Sequence, residues 1–291
     1  MNLVSIDPNK CIQCGECVTA CLGLITEKDG NIVPEVHEDN CFFCGHCVSV
    51  CPTDALVHHG LNMKAFNDIP WPISFSPTDF LQFLRERRSH RSFQKKKIPH
   101  DHLELLIEAC RYAPTGSNRQ KTHILVVQET ERIEKLAALT IRYLYHLRDL
   151  IEKKLARLRS EEKEGSESYK QSMEALNNCN NVLKRNESGL VEPIFFNAPA
   201  VMIFHSHAKR LGTPKDDCVI AAHTVTLFAR TLGIESCYSG AFVNAATYYP
   251  PALEELHLPS DHMVYSALFL GYPGQRYLKT VDREPIHVKW Q

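Results

Sequence analysis

The sequence has no arginine before Arg85, no Gly-x-Gly triplet, and no uninterrupted run of 18 apolar residues. Because it lacks a long apolar run, no helix of the chain is expected to span a bilayer, and no membrane partner is expected. The absence of Gly-x-Gly among the 13 glycines excludes a Rossmann fingerprint, so no dedicated dinucleotide site is encoded. The first residues, MNLVSIDPNK, have neither the basic nor the apolar region of a secretory signal, which predicts a cytoplasmic protein.

Charge is balanced over the whole chain but unevenly distributed along it. The 291 residues carry a formal charge of −1, which disfavours a generic binder of nucleic acid. The first 60 residues alone carry −6, and eight of the 12 cysteines lie between Cys11 and Cys51. Two compositions in one chain predict two domains, over residues 1–60 and 80–291, joined by a proline-containing linker over 61–79.

The cysteine-rich segment is an internal duplication of the pattern C-x2-C-x2-C-x3-C. The first copy consists of Cys11, Cys14, Cys17 and Cys21, and the second of Cys41, Cys44, Cys47 and Cys51. Three thiolates at this spacing can wrap one cubane iron–sulfur cluster, while the fourth ligates the other cluster. The pattern predicts two [4Fe–4S] clusters, one held by Cys11, Cys14, Cys17 and Cys51 and the other by Cys41, Cys44, Cys47 and Cys21.

Two other uses of cysteine compete with this prediction. Disulfide bonds would need an oxidising compartment. Zinc sites usually combine C-x2-C pairs separated by a dozen or more residues, whereas here four cysteines occupy eleven positions. The segment resembles a bacterial-type 2[4Fe–4S] ferredoxin over nearly its whole length, which favours clusters. Cys51 is followed by Pro52, as in that family, but Cys21 is followed by Leu22.

A basic stretch with seven positive residues and one acidic residue extends from Arg85 to Lys97. It contains Arg87-Arg88-Ser89-His90-Arg91, directly after an apolar run at helical spacing. Guanidinium forks and a hydroxyl at such a helix-to-loop turn are suited to bind one phosphate group. No zinc-finger or other nucleic-acid-binding pattern accompanies the stretch, so a nucleic-acid partner is not expected.

A helix, a loop and a strand follow the basic stretch. Apolar spacing predicts an amphipathic helix over residues 103–111 and a strand over 123–127. The loop between them contains Pro114-Thr115-Gly116 and the amide side chains of Asn118 and Gln120. Such a loop is a plausible cradle for a planar, hydrogen-bonding ring.

Together these motifs resemble the FMN-dependent nitroreductase family, over about residues 80–130 and 193–291. The resemblance implies an α+β fold: a ferredoxin-like domain followed by an α+β sandwich with a central sheet flanked by helices. It also implies bound FMN and a homodimer whose flavin sites are completed across a two-fold interface. No catalytic residue is nominated, because the chemistry belongs to the FMN.

The resemblance also assigns the FMN contacts. They are Arg87, Arg88, Ser89 and Arg91 at the phosphate and ribityl chain; Pro114, Thr115 and Gly116 toward the flavin of the partner subunit; Asn118 and Gln120 near the ring system; Ser239 and Gly240 over the ring; and Arg283 at the phosphate, with Lys279 and Arg276 as alternatives. Lys121 stands where many relatives have proline, so the shape of this loop is open.

Two further patterns have competing interpretations. Residues 131–187 predict a helical hairpin insertion, either packed against its own domain or the partner subunit, or a lid whose Tyr143, Tyr145 and His146 face the substrate. His205 and His207 follow the strand predicted over 200–204 at alternate positions and face one side. They could form a metal pair, although no carboxylate motif lies nearby in the sequence.

The two domains together predict an iron–sulfur flavoprotein oxidoreductase. Electrons would pass from reduced ferredoxin, flavodoxin or NAD(P)H through two clusters to FMN, and then to a nitroaromatic, a quinone or another electrophilic conjugated compound. One alternative is an electron-transfer module that relays to a partner protein. Another is a reductive dehalogenase or a dehydrogenase on the same fold.

Overall fold

A computed structural model describes residues 2–21, 23–70, 72, 74–208 and 212–291. The chain divides into two compact units. The first unit comprises Met1–Ser76 together with Ser117–Arg119, and the second comprises Pro77–Gly116 together with Gln120–Gln291.

The first unit consists of short elements around a small core. Its strands and helices are β1 (Val4–Ile6), α1 (Glu16–Ala20), β2 (Ile25–Lys28), β3 (Asn31–Pro34), α2 (His46–Ser49) and β4 (Leu56–His58). Strand β1 pairs antiparallel with β4, and β2 forms a hairpin with β3 through the Asp29-Gly30 turn. The thiol-bearing residues Cys17 and Cys47 are buried in this core with Val4, Ile25 and Leu56.

Equivalent glycines precede the two short helices of this unit. Gly15 has φ +76° and Gly45 has φ +74°, a left-handed conformation that is strained for residues with a Cβ. The surroundings of the two turns differ. A Cβ on Gly15 would meet open space, whereas one on Gly45 would lie 3.0 Å from the ring of Phe66.

The second unit contains the longer elements. They are α3 (Pro77–Glu86), α4 (His100–Cys110), β5 (His123–Val127), α5 (Thr130–Ser160), α6 (Glu167–Glu187), β6 (Ala200–His207), α7 (Pro214–Thr231), β7 (Glu235–Tyr238), α8 (Gly240–Tyr248), α9 (Pro250–Glu254) and β8 (His262–Gly271). The strands form an antiparallel sheet in the order β5-β6-β8-β7.

Both faces of this sheet are covered by helices. Along β6, Val201 and Ile203 join a core cluster with α5 and α8, while Met202 and Phe204 join a second cluster with α4 and α7. Successive strand residues point to opposite faces, so this continuous apolar run supplies both clusters. The expected α+β architecture, with a central sheet flanked by helices, is confirmed.

Helices α5 and α6 form the hairpin that the apolar spacing predicted. The first half of α5 packs into the core of its own unit, where Leu136 is fully buried and Tyr143 is only 5% exposed. The Cys179 thiol of α6 donates to the Leu144 carbonyl oxygen of α5 at 3.1 Å. The Ser166 hydroxyl caps α6 by accepting a hydrogen bond from the Tyr169 amide. Among the described residues, no helix has the length and apolar character needed to cross a membrane.

Candidate functional site

All eight cysteines of the duplicated pattern carry free thiols, which disfavours the disulfide interpretation. Burial raises the pKa of Cys47 to about 11, and the nearby Cys21 thiol adds to the rise. Burial also raises the pKa of Cys21, with further contributions from Cys44 and Cys41. Cys21, from the first copy of the pattern, therefore lies beside thiols of the second copy.

The first three cysteines form a separate group. Burial raises the pKa of Cys17, and the thiols of Cys11 and Cys14 add to this effect. Crowded, partly buried thiols repel one another once they ionise, and a bound cation relieves that repulsion. The donor set therefore fits thiolate-ligated metal clusters.

Backbone N–H groups point at two of these sulfurs. The Phe43 amide donates to Cys41 Sγ at 3.3 Å, and the Ala55 amide donates to Cys51 Sγ at 3.2 Å. Burial opposes ionisation of Cys51, but hydrogen bonds from the amides of Thr53, Ala55 and Leu56 and from the Thr53 hydroxyl together outweigh it and lower the pKa of Cys51. Hydrogen bonds of this kind stabilise thiolates and tune iron–sulfur clusters.

His58 is a partner of the cysteine site that the sequence did not reveal. Its Nε2 lies 3.4 Å from Cys41 Sγ, and the side chain is 1% exposed. Burial lowers the pKa of His58, which favours a neutral ring. The lone signal in the sequence is a histidine at the end of a short apolar strand, and such histidines are common in cores.

In the second unit, the basic stretch runs beside β7. The His90 amide donates to the Ser236 carbonyl at 3.2 Å, and Ser89 forms a parallel bridge with Ser236. Burial raises the pKa of Tyr238 to about 12, although the Arg87 guanidinium acts in the opposite direction. Arg87 is therefore held close to the end of β7.

The other two arginines of the motif lie over aromatic rings. The Arg88 guanidinium carbon is 5.8 Å from the ring centroid of Tyr277, and that of Arg91 is 5.9 Å from the ring of Phe196. Three guanidinium groups and the Ser89 hydroxyl thus occupy five consecutive residues on a fixed strand edge. This donor set matches the chemistry of a phosphate dianion.

His90 occupies the centre of this motif. Burial, with Arg230 and Arg88, lowers its pKa to about 4. Glu235 Oε2 lies 3.5 Å from His90 Nε2, and the other oxygen of this carboxylate is engaged by Arg230 at 3.3 Å. His90 Nδ1 is buried without a hydrogen-bond partner among the described residues.

The structure separates the three C-terminal candidates for a phosphate contact. Arg276 and Lys279 line a pocket of about 340 Å³ together with His90 and Arg230, whereas Arg283 is not among the lining residues. Arg283 is exposed, and its amide is bonded to the side chain of the adjacent Asp282.

The loop with Pro114, Thr115 and Gly116 is anchored at the start of α7. The Asp217 carboxylate accepts hydrogen bonds from the Gly116 amide and the Thr213 hydroxyl, each at 2.9 Å. A Cβ on Gly116 would lie 2.5 Å from Thr213 Oγ1, so the close approach requires glycine. Asp217 was not predicted, because it lies 101 residues from Gly116 in the sequence.

The remaining loop candidates are divided between the units. The backbone N–H of Gln120 donates to Thr115 Oγ1 at 3.0 Å, and both residues line a pocket of about 290 Å³. Asn118 groups with the first unit, where its side-chain amide donates to the carbonyl oxygens of Phe42 and Phe43.

Ser239 and Gly240 lie at the junction of β7 and α8. Ser239 is only 4% exposed, and its hydroxyl donates to the Ile194 carbonyl at 3.3 Å. Gly240 is exposed at the first position of α8. This junction directly follows Cys237 and Tyr238, which lie beside Arg87.

Comparisons with known proteins match the two parts of the chain to two different families. The family model described as "Nitroreductase family" matches residues 84–272, and the model described as "4Fe-4S dicluster domain" matches residues 3–52. The 4-nitrobenzoate reductase of Pseudomonas putida is 25% identical over 68% of this chain and 86% of its own length. The chloronitrobenzene nitroreductase of Comamonas testosteroni is 24% identical over 65% of this chain and 84% of its own.

A solved structure shows the same fold. The crystal structure of a nitroreductase with bound FMN from Bacteroides fragilis superposes with a TM-score of 0.51 at 24% identity. The match covers 73% of this chain and 99% of that one.

Proposed function

The chain belongs to the nitroreductase family, and from this we propose that it is an iron–sulfur flavoprotein oxidoreductase that reduces small organic acceptors. FMN and two [4Fe–4S] clusters supply the electron-carrying chemistry. The observation that carries the proposal is the pairing of Ser89 with Ser236 on β7, which brings the segment with Arg87, Arg88 and Arg91 to that strand, in a chain that also has a 4Fe–4S dicluster domain.

In this proposal the arginine motif binds the FMN phosphate. Arg87, Arg88 and Arg91 supply charge-assisted hydrogen bonds, and Ser89 supplies a hydroxyl. The pairing of Ser89 with Ser236 fixes the backbone of the motif before binding, so less backbone ordering is required on FMN binding. Positive charge beside the flavin also stabilises its anionic reduced form.

The loop at α7 and the β7–α8 junction would hold the ring system. The hydrogen bond from the Gly116 amide to Asp217 fixes the Pro114–Gly116 loop. The Gln120 backbone N–H donates to Thr115 Oγ1, and the side-chain amide of Gln120 is the group proposed to contact the ring. Gly240 has no Cβ and is exposed, so a flat ring can approach its backbone closely.

The crossed assignment is proposed for the cluster ligands. The proximity of Cys21 to Cys41, Cys44 and Cys47 supports one site made of these four thiolates. Cys11, Cys14, Cys17 and Cys51 then form the other site.

A nitroaromatic is the proposed acceptor class, since two similar proteins carry the names 4-nitrobenzoate reductase and chloronitrobenzene nitroreductase. Reduced ferredoxin or flavodoxin is the proposed donor, because the acidic 4Fe–4S segment suits one-electron delivery. NAD(P)H is the competing donor.

A homodimer is also proposed. Helices α3 and α7 expose an apolar surface that includes Phe80, Leu81, Val219 and Ile220, each between 38% and 46% exposed. Exposed apolar patches on adjacent elements are typical of protein interfaces. Sedimentation of the flavin-loaded protein tests this, and a monomer would contradict it.

The main test combines FMN binding with turnover. We expect Arg87→Ala and Arg91→Ala each to weaken FMN binding by about tenfold or more, because each removes a charge-assisted hydrogen bond. Arg111→Ala is the matched control, since Arg111 is an exposed arginine paired with Glu108. FMN affinity that is the same in all three variants and the wild type would contradict the assigned phosphate site.

Turnover is measured anaerobically with 4-nitrobenzoate as acceptor and either reduced ferredoxin or NADH as donor. We expect ferredoxin to support turnover and Cys21→Ser to slow it, while FMN binding stays intact. Rapid flavin reduction by NADH alone would contradict the proposed donor. Flavin that is reduced but never turns over the acceptor would instead indicate a module that relays to a partner protein.

A further inference from the structure

Four histidines meet at one end of the second unit's sheet. His123 on β5 lies directly opposite His205 on β6, and His207 on β6 lies directly opposite His262 on β8. Residues opposite each other on paired strands project to the same face, and His205 and His207 are two positions apart. The register therefore brings all four imidazoles to one face.

These imidazoles continue a face that is otherwise apolar. The neighbouring row across the sheet is Leu125, Ile203 and Ala267, which pack against the core cluster that includes α5 and α8. His205 and His262 are only 6% and 5% exposed, whereas the His207 side chain is 40% exposed. The cluster thus extends from the core to the surface, which gives an ion a path of entry.

Three of the histidines converge on one point. One ring nitrogen each from His123, His207 and His262 lies within 4.8 Å of the others. The His207 and His262 ring centroids are 4.4 Å apart, and those of His123 and His262 are 4.8 Å apart. Tetrahedral zinc with bonds of ~2.0–2.1 Å requires ligand nitrogens ~3.3 Å apart. Side-chain rotations that move each ring nitrogen by about 1 Å would therefore complete the geometry.

Two further groups orient the ligand rings. His207 Nδ1 lies 2.6 Å from Asp261 Oδ2, which leaves Nε2 with its lone pair free to coordinate. His262 Nδ1 lies 2.8 Å from His205 Nδ1, and when His262 donates this hydrogen bond its Nε2 also carries the lone pair. A carboxylate that holds a ligating imidazole is the usual outer partner of a zinc site.

From this arrangement we infer that His123, His207 and His262 form a binding site for one divalent transition-metal ion, with Asp261 and His205 as positioning residues. Three neutral imidazoles suit Zn²⁺, and a water molecule would take the fourth position. Because the ligands come from β5, β6 and β8, the bound ion would cross-link these three strands at one end of the sheet. This site shares no residue with the cysteine sites or with the proposed FMN contacts.

The test is a calorimetric titration of the full-length protein, with clusters and FMN loaded, after anaerobic dialysis against a chelator. We expect one Zn²⁺ per chain. His123→Gln and His207→Gln should each weaken binding by at least tenfold, and Asp261→Asn should weaken it by about tenfold to 100-fold with the stoichiometry retained. His100→Gln, which removes an exposed histidine on α4, is the matched control and should bind like the wild type.

X-ray absorption at the zinc edge identifies the ligands in the wild-type protein, so this measurement does not depend on whether a variant folds. Three imidazoles at ~2.0 Å support the inference, whereas sulfur at ~2.3 Å would place the ion on cysteines and overturn it. Absence of saturable zinc binding would also overturn it, as would equal affinity in the wild type and in His123→Gln. His123 is exposed, so its variant is expected to fold even if the His207 variant does not.

Discussion

Protonation of His90 should make the second unit unstable in mild acid. The pKa of this buried imidazole is lowered from 6.5 to about 4, mainly by burial and further by Arg230 and Arg88. Between these two values the unfolded chain binds a proton that the folded chain does not. Stability is therefore lost as the pH falls through this window. Replacing His90 with glutamine removes the titrating group and keeps a polar side chain.

The size of the effect follows from the two pKa values. One pKa unit corresponds to ~1.4 kcal/mol, so the full shift amounts to ~3 kcal/mol once the pH is below both values. When the pH falls from about 7 to about 5, the free energy of unfolding of the wild type should decrease by ~2 kcal/mol relative to that of His90→Gln. Above the unfolded pKa the difference between the two proteins should be constant.

Urea unfolding followed by the helical circular dichroism signal measures this difference. The signal reports chiefly on the second unit, because the long helices α5, α6 and α7 belong to it. Flavin-free protein is used, so that a bound phosphate does not add its charge near His90. His100→Gln is the control for loss of an imidazole. A flat difference between wild type and His90→Gln over this pH range would refute the reasoning, as would a gain by the wild type in acid.

Three other substitutions test separate features. Asp217→Ala should lower the free energy of unfolding by ~2–3 kcal/mol and weaken FMN binding, because the Gly116 amide loses a charged acceptor. Urea unfolding measures the loss of stability, and flavin titration measures the loss of affinity. Gly45→Ala should accelerate cluster loss on heating more than Gly15→Ala does, because a Cβ at Gly45 would lie 3.0 Å from the ring of Phe66 and the space at Gly15 is open. Absorbance near 400 nm measures the loss of the clusters. Leu136→Ala, in the fully buried part of α5, should lower the free energy of unfolding by ~2–5 kcal/mol. An exposed control, Leu150→Ala, should change it little.

Local periodicity was sufficient to predict several of the longer helices and strands of the second unit. The helix predicted over residues 103–111 is His100–Cys110, and the strand predicted over 123–127 has those bounds. The hairpin predicted over residues 131–187 consists of Thr130–Ser160 and Glu167–Glu187. Each of these segments carries its own apolar stripe, so neighbours in the sequence contain the necessary signal.

Element ends were harder to predict, because they depend on partners elsewhere. The strand predicted over residues 200–204 continues to His207, since its polar end pairs with β8. The start of helix α7 at Pro214 is a second case, since proline is tolerated in the first turn of a helix. In both cases the missing information was a tertiary contact or a special terminal position.

The site residues that escaped prediction are those whose role depends on a distant partner. His58 contacts Cys41, and Asp217 contacts Gly116, but neither stands in a motif. Likewise, His205 and His207 were predicted to share a face, whereas the approach of His262 and Asp261 depends on the register of β6 with β8. Sequence spacing cannot supply that register.

The ring of Phe66 beside Gly45 makes the two halves of the cysteine repeat unequal. Among the residues that the structure describes, none lies within 4 Å of a Cβ placed on Gly15. Reduction potentials of iron–sulfur centres depend on how much water reaches them. The two clusters would therefore lie beside unequally covered turns, and we expect their reduction potentials to differ, which would give electron transfer between them a preferred direction.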